Sequence, residues 1–203
     1  MQDEAGAPLI AAHDETTPPE QTTDTSALQR SRLFAVLGGT AAVVLLLDQL
    51  SKLWALRSLT PGDPVDLVGS LIRLNLIRNP GAAFSIGTGA TWVLTLIACG
   101  VLVFILVTAR RLGSTAWAWA LGLLLGGSLG NLADRVFREP GPGRGHVVDF
   151  IDYFGWFIGN VADIAIVGAA GVIAVLATMG IGVDGARPEH GRHEAGRHEA
   201  DHE

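Results

Sequence analysis

The chain has 203 residues, of which 49% are hydrophobic, with a mean hydropathy of +0.38 and a formal net charge of −6. The charge comes largely from two polar ends that flank an apolar middle, so it gives no indication of nucleic-acid binding. A single cysteine excludes an intrachain disulfide framework. Composition therefore indicates a membrane protein with polar tails.

The N-terminal segment, residues 1–30, is predicted to be a disordered acidic tail. Residues 1–29 contain no Lys or Arg and many Asp, Glu, Thr and Pro, a composition that cannot bury enough apolar surface to fold. Residues 184–203 contain the direct repeat GRHEA and are predicted to form a second disordered, low-complexity tail. The domain between these tails comprises residues 31–183.

Four segments of this domain reach the length of about 20 apolar residues that a membrane-spanning helix needs. They cover about 33–56, 91–109, 115–134 and 157–182. The third carries Gly122, Gly126 and Gly130 at four-residue spacing, which lets helix backbones approach closely in lipid. Cys99 lies midway along the second span, where we expect a buried helix residue.

Two long connections separate these spans. The first contains LIRLNLIRNPGAAFSIG, which alternates like a strand around Leu74 and Leu76 before the turn signal Pro80-Gly81. The second, FREPGPGRGHVVDFIDYFGW, begins as a Pro/Gly loop and continues as an apolar, aromatic segment suited to the membrane interface. The predicted fold is an all-α integral membrane protein with four transmembrane helices, a small extracytoplasmic β element and an interfacial helix or loop.

The basic residues orient the spans through their position and not through their number, because seven fall on each side. Arg30 and Arg32 precede the first span, and the short loop RRLGS (110–114) joins the second to the third. Short flanks carry the most weight in the positive-inside rule. Both termini are therefore predicted to be cytoplasmic.

Two groups of charged residues lie at the ends of spans. Asp48 and Lys52 are four residues apart on the first helix and can neutralise each other as a structural ion pair. Asp134 and Arg135 end the third helix and point in different directions, so Asp134 can hold a loop backbone. Arg135 presents a rigid fork of five donors, for which structural anchoring and ligand contact both stay open.

Asp149, Asp152 and Asp163 lie among apolar residues, although a charge at the bilayer centre costs at least about 2.5–3.5 kcal/mol. Asp152 precedes Tyr153 at the expected interface, so its carboxylate is expected to be exposed to water. Asp149 and Asp163 have no basic neighbour in sequence, and either backbone hydrogen bonds or a function can explain them. Two carboxylates brought together share a proton and can activate a water for peptide hydrolysis without a metal.

Other chemistries find little support in the sequence. HExxH, GxSxG and Cys/His sets with ligand spacing are missing, and His146 is the only histidine outside the tails. No cofactor and no metal ion are expected. A small transporter or proton-relay protein stays an alternative, although Asp149 lies in an interfacial segment and internal repeats are missing. A scaffold is disfavoured because both aspartates are present, and the GxGD pattern of presenilin-like proteases is not found.

Five blocks in register resemble lipoprotein signal peptidases, the bacterial type II signal peptidases. They are DQLSK (48–52), RNPGAAFSIG (78–87), GGSLGNLADR (126–135), HVVDF (146–150) and NVADIAIVGAA (160–170). The resemblance runs from about 33 to 180 and implies a membrane aspartyl endopeptidase. Members of that family remove signal peptides from diacylglyceryl-modified prolipoproteins by cutting before the lipidated cysteine.

The resemblance also implies roles for particular residues. The catalytic aspartates fall on Asp149 and Asp163. The substrate-binding residues fall on Asn79, Asn131, Arg135 and Asn160, and the supporting residues on Asp48, Lys52, Gly127 and Asp134. Three positions depart from the family pattern. Ser128 stands where alanine is common, Gly159 stands where an aromatic residue is expected, and the loop at 138–145 is long.

The implied partners are prolipoprotein substrates and membrane lipids, with no nucleic acid, and we expect a monomer. The family places its termini in the cytoplasm and a β-cradle after the first helix. Its active site lies near the extracytoplasmic face of the bacterial cytoplasmic membrane. These implications agree with the spans and the orientation predicted above.

Overall fold

The computed structural model describes residues 22–81 and 91–187. The first described part contains one helix and two strands, and the second contains three helices and two strands. In chain order the elements are α1 (Thr22–Ser58), β1 (Val65–Val68), β2 (Ile72–Asn79), α2 (Thr91–Ala109), α3 (Thr115–Phe137), β3 (Val147–Tyr153), β4 (Phe157–Gly159) and α4 (Val161–Thr178).

Each of the four helices is long and apolar enough to cross a membrane, which confirms the four predicted spans. The fourth helix begins at Val161 and not at about 157, because residues 157–159 pair with β3 as strand β4. On α2, Cys99 is exposed, so the expectation that it is buried is wrong. This helix packs chiefly against α3 and leaves its outer face, which carries Cys99, uncovered.

Glycines bring α3 close to both of its main neighbours. A Cβ added at Gly126 would lie 2.7 Å from the carbonyl oxygen of Ala41 in α1. A Cβ added at Gly127 would lie 2.6 Å from the carbonyl oxygen of Ala162 in α4. The glycine spacing therefore works as predicted on the α1 side, and Gly127 gives the same close approach on the α4 side.

The four strands form one antiparallel sheet in the order β1-β2-β3-β4. The predicted β element is confirmed, but the prediction of an interfacial helix or loop for the segment after the Pro/Gly loop is wrong. That segment, VVDFIDY, forms β3 and pairs with β2, with Asp149 opposite Ile77. Its β-branched and aromatic residues favour a strand, and β2 offers an edge with which this strand pairs. The all-α class is corrected to four helices with a four-stranded sheet.

The polar ends are shorter than predicted from composition. Helix α1 begins at Thr22, so residues 22–30, assigned above to the disordered tail, are helical. Extending an existing helix avoids the cost of a new nucleus, which explains the extension. Residues 184–187 also belong to a turn, in which Gly182 N donates to Ala186 O at 2.9 Å. The remaining tail segments, 1–21 and 188–203, lie outside the described residues.

Candidate functional site

The N-terminus of α4 fixes one of the two aspartates. Asn160 is the N-cap residue, and its Oδ1 accepts a hydrogen bond from Asp163 N at 3.1 Å. In return, Asp163 Oδ2 accepts from Asn160 N at 3.0 Å. This reciprocal capping box uses two N–H groups that the helix would otherwise leave unpaired. Asp163 therefore has a fixed place in the first turn of α4.

Asn160 also connects α4 to the second aspartate, which lies on β3. Its Nδ2 donates to Asp149 Oδ1 at 2.6 Å and to Asn131 Oδ1 at 3.1 Å. Asn131 Nδ2 in turn donates to Asp163 Oδ1 at 2.9 Å. Asp149 is 2% exposed, whereas Asp163 is half-buried. The structure thus brings both predicted aspartates and both asparagines into one hydrogen-bond network.

Asn79, at the end of β2, completes the surroundings of Asp149. Its Nδ2 donates to Asp149 Oδ2 at 2.8 Å, and its Oδ1 accepts from Gly81 N at 2.9 Å. Arg135 Nη2 donates to the carbonyl oxygen of Gly81 at 2.7 Å. This arginine therefore anchors the backbone, which is one of the two roles considered for it above. Its Nη1 is buried and has no hydrogen-bond partner among the described residues. That nitrogen keeps ligand contact open as well.

A cavity of about 520 Å³ opens beside this network. Its polar end is formed by side chains of the network, namely Asn79, Asn131, Arg135, Asp149 and Asp163, together with Ser128. Its apolar wall comes from three helices, with Leu94, Ile97, Ala98 and Val101 of α2, Leu124 of α3 and Ile166 of α4. Such a cavity can hold a long apolar group and present one polar bond to the carboxylates.

Burial raises the pKa of Asp149 from its ordinary value of 3.8 to about 6. The hydrogen bond from Asn79 acts in the opposite direction, because it favours the ionised carboxylate. The negative charge of Asp163 raises the pKa of Asp149 further. Asp149 can therefore exchange a proton close to neutral pH, as two carboxylates that share a proton require.

The predicted ion pair of Asp48 and Lys52 is present, with 2.8 Å between Nζ and Oδ2 and both side chains fully buried. Lys52 Nζ also lies 2.9 Å from Asp134 Oδ2. Asp134 Oδ2 accepts a hydrogen bond from Val148 N at 3.1 Å, so this aspartate holds the start of strand β3, whereas a loop backbone was predicted. Arg138, for which no role was predicted, contacts Asp134 Oδ1 at 2.5 Å. Their spacing of four residues is the signal that could have found it.

The expectation that Asp152 is exposed to water is wrong, because the structure leaves it only 1% exposed. Arg73 Nη2 lies 2.7 Å from its Oδ2, and Gly155 N donates to its Oδ1 at 2.8 Å. Arg73 lies opposite Asp152 on the neighbouring strand β2. The pair stabilises the outer end of the sheet and lies apart from the asparagine network.

Gly159 allows Asp163 and an aromatic ring to approach each other. A Cβ added there would lie 2.9 Å from Asp163 Oδ2 and 2.8 Å from the ring of Phe157. Residues two apart in a strand share one face, so Phe157 occupies the space into which a side chain at 159 would project. Phe157 also stacks on Tyr153, with 6.0 Å between ring centroids. The aromatic residue expected at 159 is thus displaced by two positions.

Within 22–81 and 91–187, no three His, Cys, Asp or Glu side chains are grouped so that they could hold a metal ion. The carboxylates of the network accept hydrogen bonds from amide and backbone N–H donors.

Comparison with known proteins gives one consistent result. The family described as Signal peptidase (SPase) II matches residues 40–179. A lipoprotein signal peptidase of Mycolicibacterium smegmatis is 50% identical over 177 residues, covering 84% of this chain and 75% of the relative. The lipoprotein signal peptidase of Mycobacterium avium is 49% identical over 168 residues, covering 82% of this chain and 92% of the relative.

A solved structure shares the fold. It is described as a bacterial membrane enzyme structure by the in meso method at 2.3 Å resolution, and it matches with a TM-score of 0.62 and 26% identity. The match covers 68% of this chain and 85% of that chain.

Proposed function

The chain belongs to the signal peptidase II family, and we propose that Asp149 and Asp163 together activate the water with which it removes signal peptides from prolipoproteins. It is an aspartic-type endopeptidase and therefore a hydrolase. The observation that carries the proposed mechanism is the position of Asn160, which contacts both aspartates at once.

In the first step the ionised aspartate takes a proton from the water, whose oxygen attacks the carbonyl carbon of the scissile peptide. The protonated aspartate donates a hydrogen bond to the carbonyl oxygen as negative charge develops there. In the second step the tetrahedral intermediate collapses, and the nitrogen of the leaving amine receives a proton from a carboxylic acid as the C–N bond breaks. One carboxylate and one carboxylic acid remain, so the pair returns to its starting proton count.

The asparagines hold the carboxylates during these steps. Asn79 and Asn160 each donate to one oxygen of Asp149, and Asn131 donates to Asp163. Fixed donors limit the rotation of both carboxylates, so the water and the peptide meet them in a defined orientation. Positioning and charge stabilisation of this kind supply much of the rate enhancement in enzymes.

The cavity supports a lipid-modified substrate. Its wall of Leu94, Ile97 and Val101 on α2 faces α3 and α4 and suits acyl chains or the apolar core of a signal peptide. Burial of acyl chains contributes about 0.8 kcal/mol per CH₂ group. Arg135, with one buried nitrogen unpaired among the described residues, can bind a carbonyl oxygen of the substrate or a phosphate oxygen of a membrane lipid. Prolipoprotein and membrane lipid are thus the partners we propose.

The orientation we propose has both termini in the cytoplasm. The described ends of α1 and α4 lie beside the loop at 110–114, since Arg30 Nη2 donates to Arg110 O and Gly113 N donates to Val183 O. Arginines cluster at this end of the bundle, as the positive-inside rule favours. The sheet and the aspartates lie at the other end, which becomes the extracytoplasmic face of the bacterial membrane.

We also propose a monomer, because one chain supplies every side chain of the network described above. Residues 1–21 and 188–203 are proposed to be polar tails outside the peptidase domain.

The test is cleavage of a synthetic diacylglyceryl-modified prolipoprotein by the purified full chain in detergent, beside Asp149→Asn and Asp163→Asn. We expect the wild type to cut before the lipidated cysteine and both variants to lose turnover by about 10⁴-fold or more, as for removal of a central group in other hydrolases. The elution volume and helical circular dichroism of each variant control for folding. Full turnover in either folded variant would refute the two-aspartate mechanism. If a known signal peptidase II cuts the substrate and the wild-type chain does not, the assigned reaction is refuted.

A further inference from the structure

Lys52 is the only lysine of the chain, whose other basic residues are thirteen arginines and its histidines. Its side chain is fully buried, and three acceptors surround its ammonium group. They are Asp48 Oδ2 at 2.8 Å, Asp134 Oδ2 at 2.9 Å and Asn131 Oδ1 at 3.1 Å. An ammonium group has three N–H donors, so each donor has one acceptor. The planar guanidinium of an arginine could not direct three donors to acceptors that converge on a single point.

The two carboxylates beside Lys52 hold the backbone next to each aspartate of the site. Asp48 Oδ1 accepts a hydrogen bond from Ala162 N at 3.0 Å, and Ala162 directly precedes Asp163. Asp134 Oδ2 accepts from Val148 N at 3.1 Å, and Val148 directly precedes Asp149. One nitrogen atom of α1 therefore joins β3 and α4 at corresponding points.

The third acceptor controls the orientation of an amide. Asn131 Oδ1 accepts from both Lys52 Nζ and Asn160 Nδ2, at 3.1 Å each. A rotated Asn131 amide would set its NH₂ group against these two donors. Its Nδ2 is therefore left to donate to Asp163 Oδ1, at 2.9 Å. Lys52, together with Asn160, thus directs a donor, and not an acceptor, towards the Asp163 carboxylate.

We propose that Lys52 is the positioning residue of the active site, which holds both aspartate-bearing segments and the Asn131 amide in the arrangement that catalysis requires. This inference rests on the catalytic roles proposed above for Asp149 and Asp163. Lys52 uses its three donors on Asp48, Asp134 and Asn131 and acts on the aspartates through them. The apolar wall of the cavity on α2 is built without it. Loss of Lys52 therefore lowers turnover and leaves substrate affinity nearly unchanged.

The experiment compares four variants of the full chain in detergent, with steady-state cleavage of the diacylglyceryl-modified prolipoprotein and a thermal unfolding curve for each. Lys52→Met removes the ammonium and leaves Asp48 without its cation, whereas Asp134 keeps Arg138. Lys52→Arg keeps the charge and changes its geometry. The double variant Asp48→Asn/Lys52→Met removes both charges of the pair, and its amide oxygen can still accept from Ala162 N. Arg57→Met, at an exposed position of α1, is the matched control for loss of a cation.

We expect Lys52→Met to lower kcat by about a hundredfold, the loss that a displacement of about 1 Å can cause, with KM within about threefold of the wild type. Lys52→Arg should lose at least about tenfold in kcat, because charge alone does not restore the three hydrogen bonds. The double variant should have a Tm close to that of the wild type, whereas its kcat should stay as low as that of Lys52→Met. Arg57→Met should leave both kcat and KM unchanged.

A kcat that returns together with the Tm in the double variant would overturn the proposal, because Lys52 would then act on stability alone. A Lys52→Met enzyme with kcat within about threefold of the wild type would overturn it as well. If Lys52→Met does not fold, the double variant carries the comparison by itself. Failure of the wild type to cleave would instead count against the proposed function, and loss of cleavage in Asp149→Asn checks the catalytic pair separately.

Discussion

Asn160 Nδ2 lies 2.6 Å from Asp149 Oδ1, so the residue that caps α4 also contacts the aspartate of β3. The backbone and the Oδ1 of Asn160 serve the helix, and its Nδ2 serves the strand. One side chain therefore couples the stability of the helix start to the geometry of the site. Substitutions that keep only one of these two contacts can separate the two roles.

Asn160→Ser keeps an N-cap oxygen but is too short to donate to Asp149, whereas Asn160→Ala loses both contacts. Loss of the cap costs about 1 kcal/mol, which lowers Tm by about 2–4 °C in a protein of this size. We expect the serine variant to keep the Tm and lose about a hundredfold in kcat, and the alanine variant to lose both. Thermal unfolding and cleavage rates measure the two effects. Wild-type turnover in the serine variant would show that the contact with Asp149 is dispensable.

Local patterns predicted much of this architecture, because their causes lie within a few residues. The four spans follow from runs of apolar residues, and the ion pair of Asp48 and Lys52 follows from their spacing on one helix. The prediction that Asp152 is exposed was wrong for the opposite reason, because its partner is distant in sequence. Its partner Arg73 is 79 residues away, and only the pairing of β2 with β3 brings the two together. The same pairing turned the expected interfacial helix or loop into a strand.

In the site, too, local features could be predicted from the sequence and contacts between distant residues could not. Its aspartates could be inferred from the cost of charge in lipid and from the lack of other hydrolase signatures, and the resemblance to a family supplied the asparagines. The contact of Lys52 with Asn131, also 79 residues apart, could not be inferred, because it depends on how closely α1 packs against α3. Gly159 could be marked as unusual, but its reason lies in the position of the Phe157 ring.

The raised pKa of Asp149 predicts a pH-dependent difference in stability between the wild type and Asp149→Asn. The folded pKa of about 6 exceeds the ordinary value of 3.8, so protonated Asp149 favours the folded state. This contribution is complete below about pH 4 and is lost as the pH rises to about 6. A shift of about two units corresponds to about 3 kcal/mol at most. Asparagine stays neutral and does not undergo this loss.

Measured in detergent, the Tm of Asp149→Asn should therefore rise relative to the wild type between about pH 4 and pH 6 and level off above. Gly168→Ala, at a position where an added Cβ has open space, should give a curve parallel to that of the wild type. A difference between Asp149→Asn and the wild type that is the same at every pH would contradict the raised pKa.

The displaced aromatic residue predicts that Gly159 and Phe157 are coupled. Gly159→Phe places a Cβ 2.8 Å from the Phe157 ring and 2.9 Å from Asp163 Oδ2, so it should move the carboxylate and lower kcat by about tenfold or more. The swap Phe157→Gly/Gly159→Phe removes the contact with the ring but leaves the Cβ 2.9 Å from Asp163 Oδ2, so it should recover only the part of the kcat that is lost through the ring contact. Cleavage rates of the two single variants and the double variant form a cycle that measures this coupling. Additive losses in kcat would mean that the ring and the glycine act independently.

The close approach of α3 to α1 predicts a large effect from a small substitution. A Cβ at Gly126 would lie 2.7 Å from the carbonyl oxygen of Ala41, and a backbone atom cannot move aside as a flexible side chain can. Overpacking of this kind costs about 1–3 kcal/mol, so Gly126→Ala should lower the Tm by several degrees. Gly171→Ala, in α4 with open space around the added Cβ, should leave the Tm unchanged or raise it slightly, because alanine is the better helix former. Equal Tm values for the two variants would mean that α3 and α1 can separate at this point without loss of stability. The close packing of α1 against α3 would then not explain how Asp48 and Asp134 are both held beside Lys52.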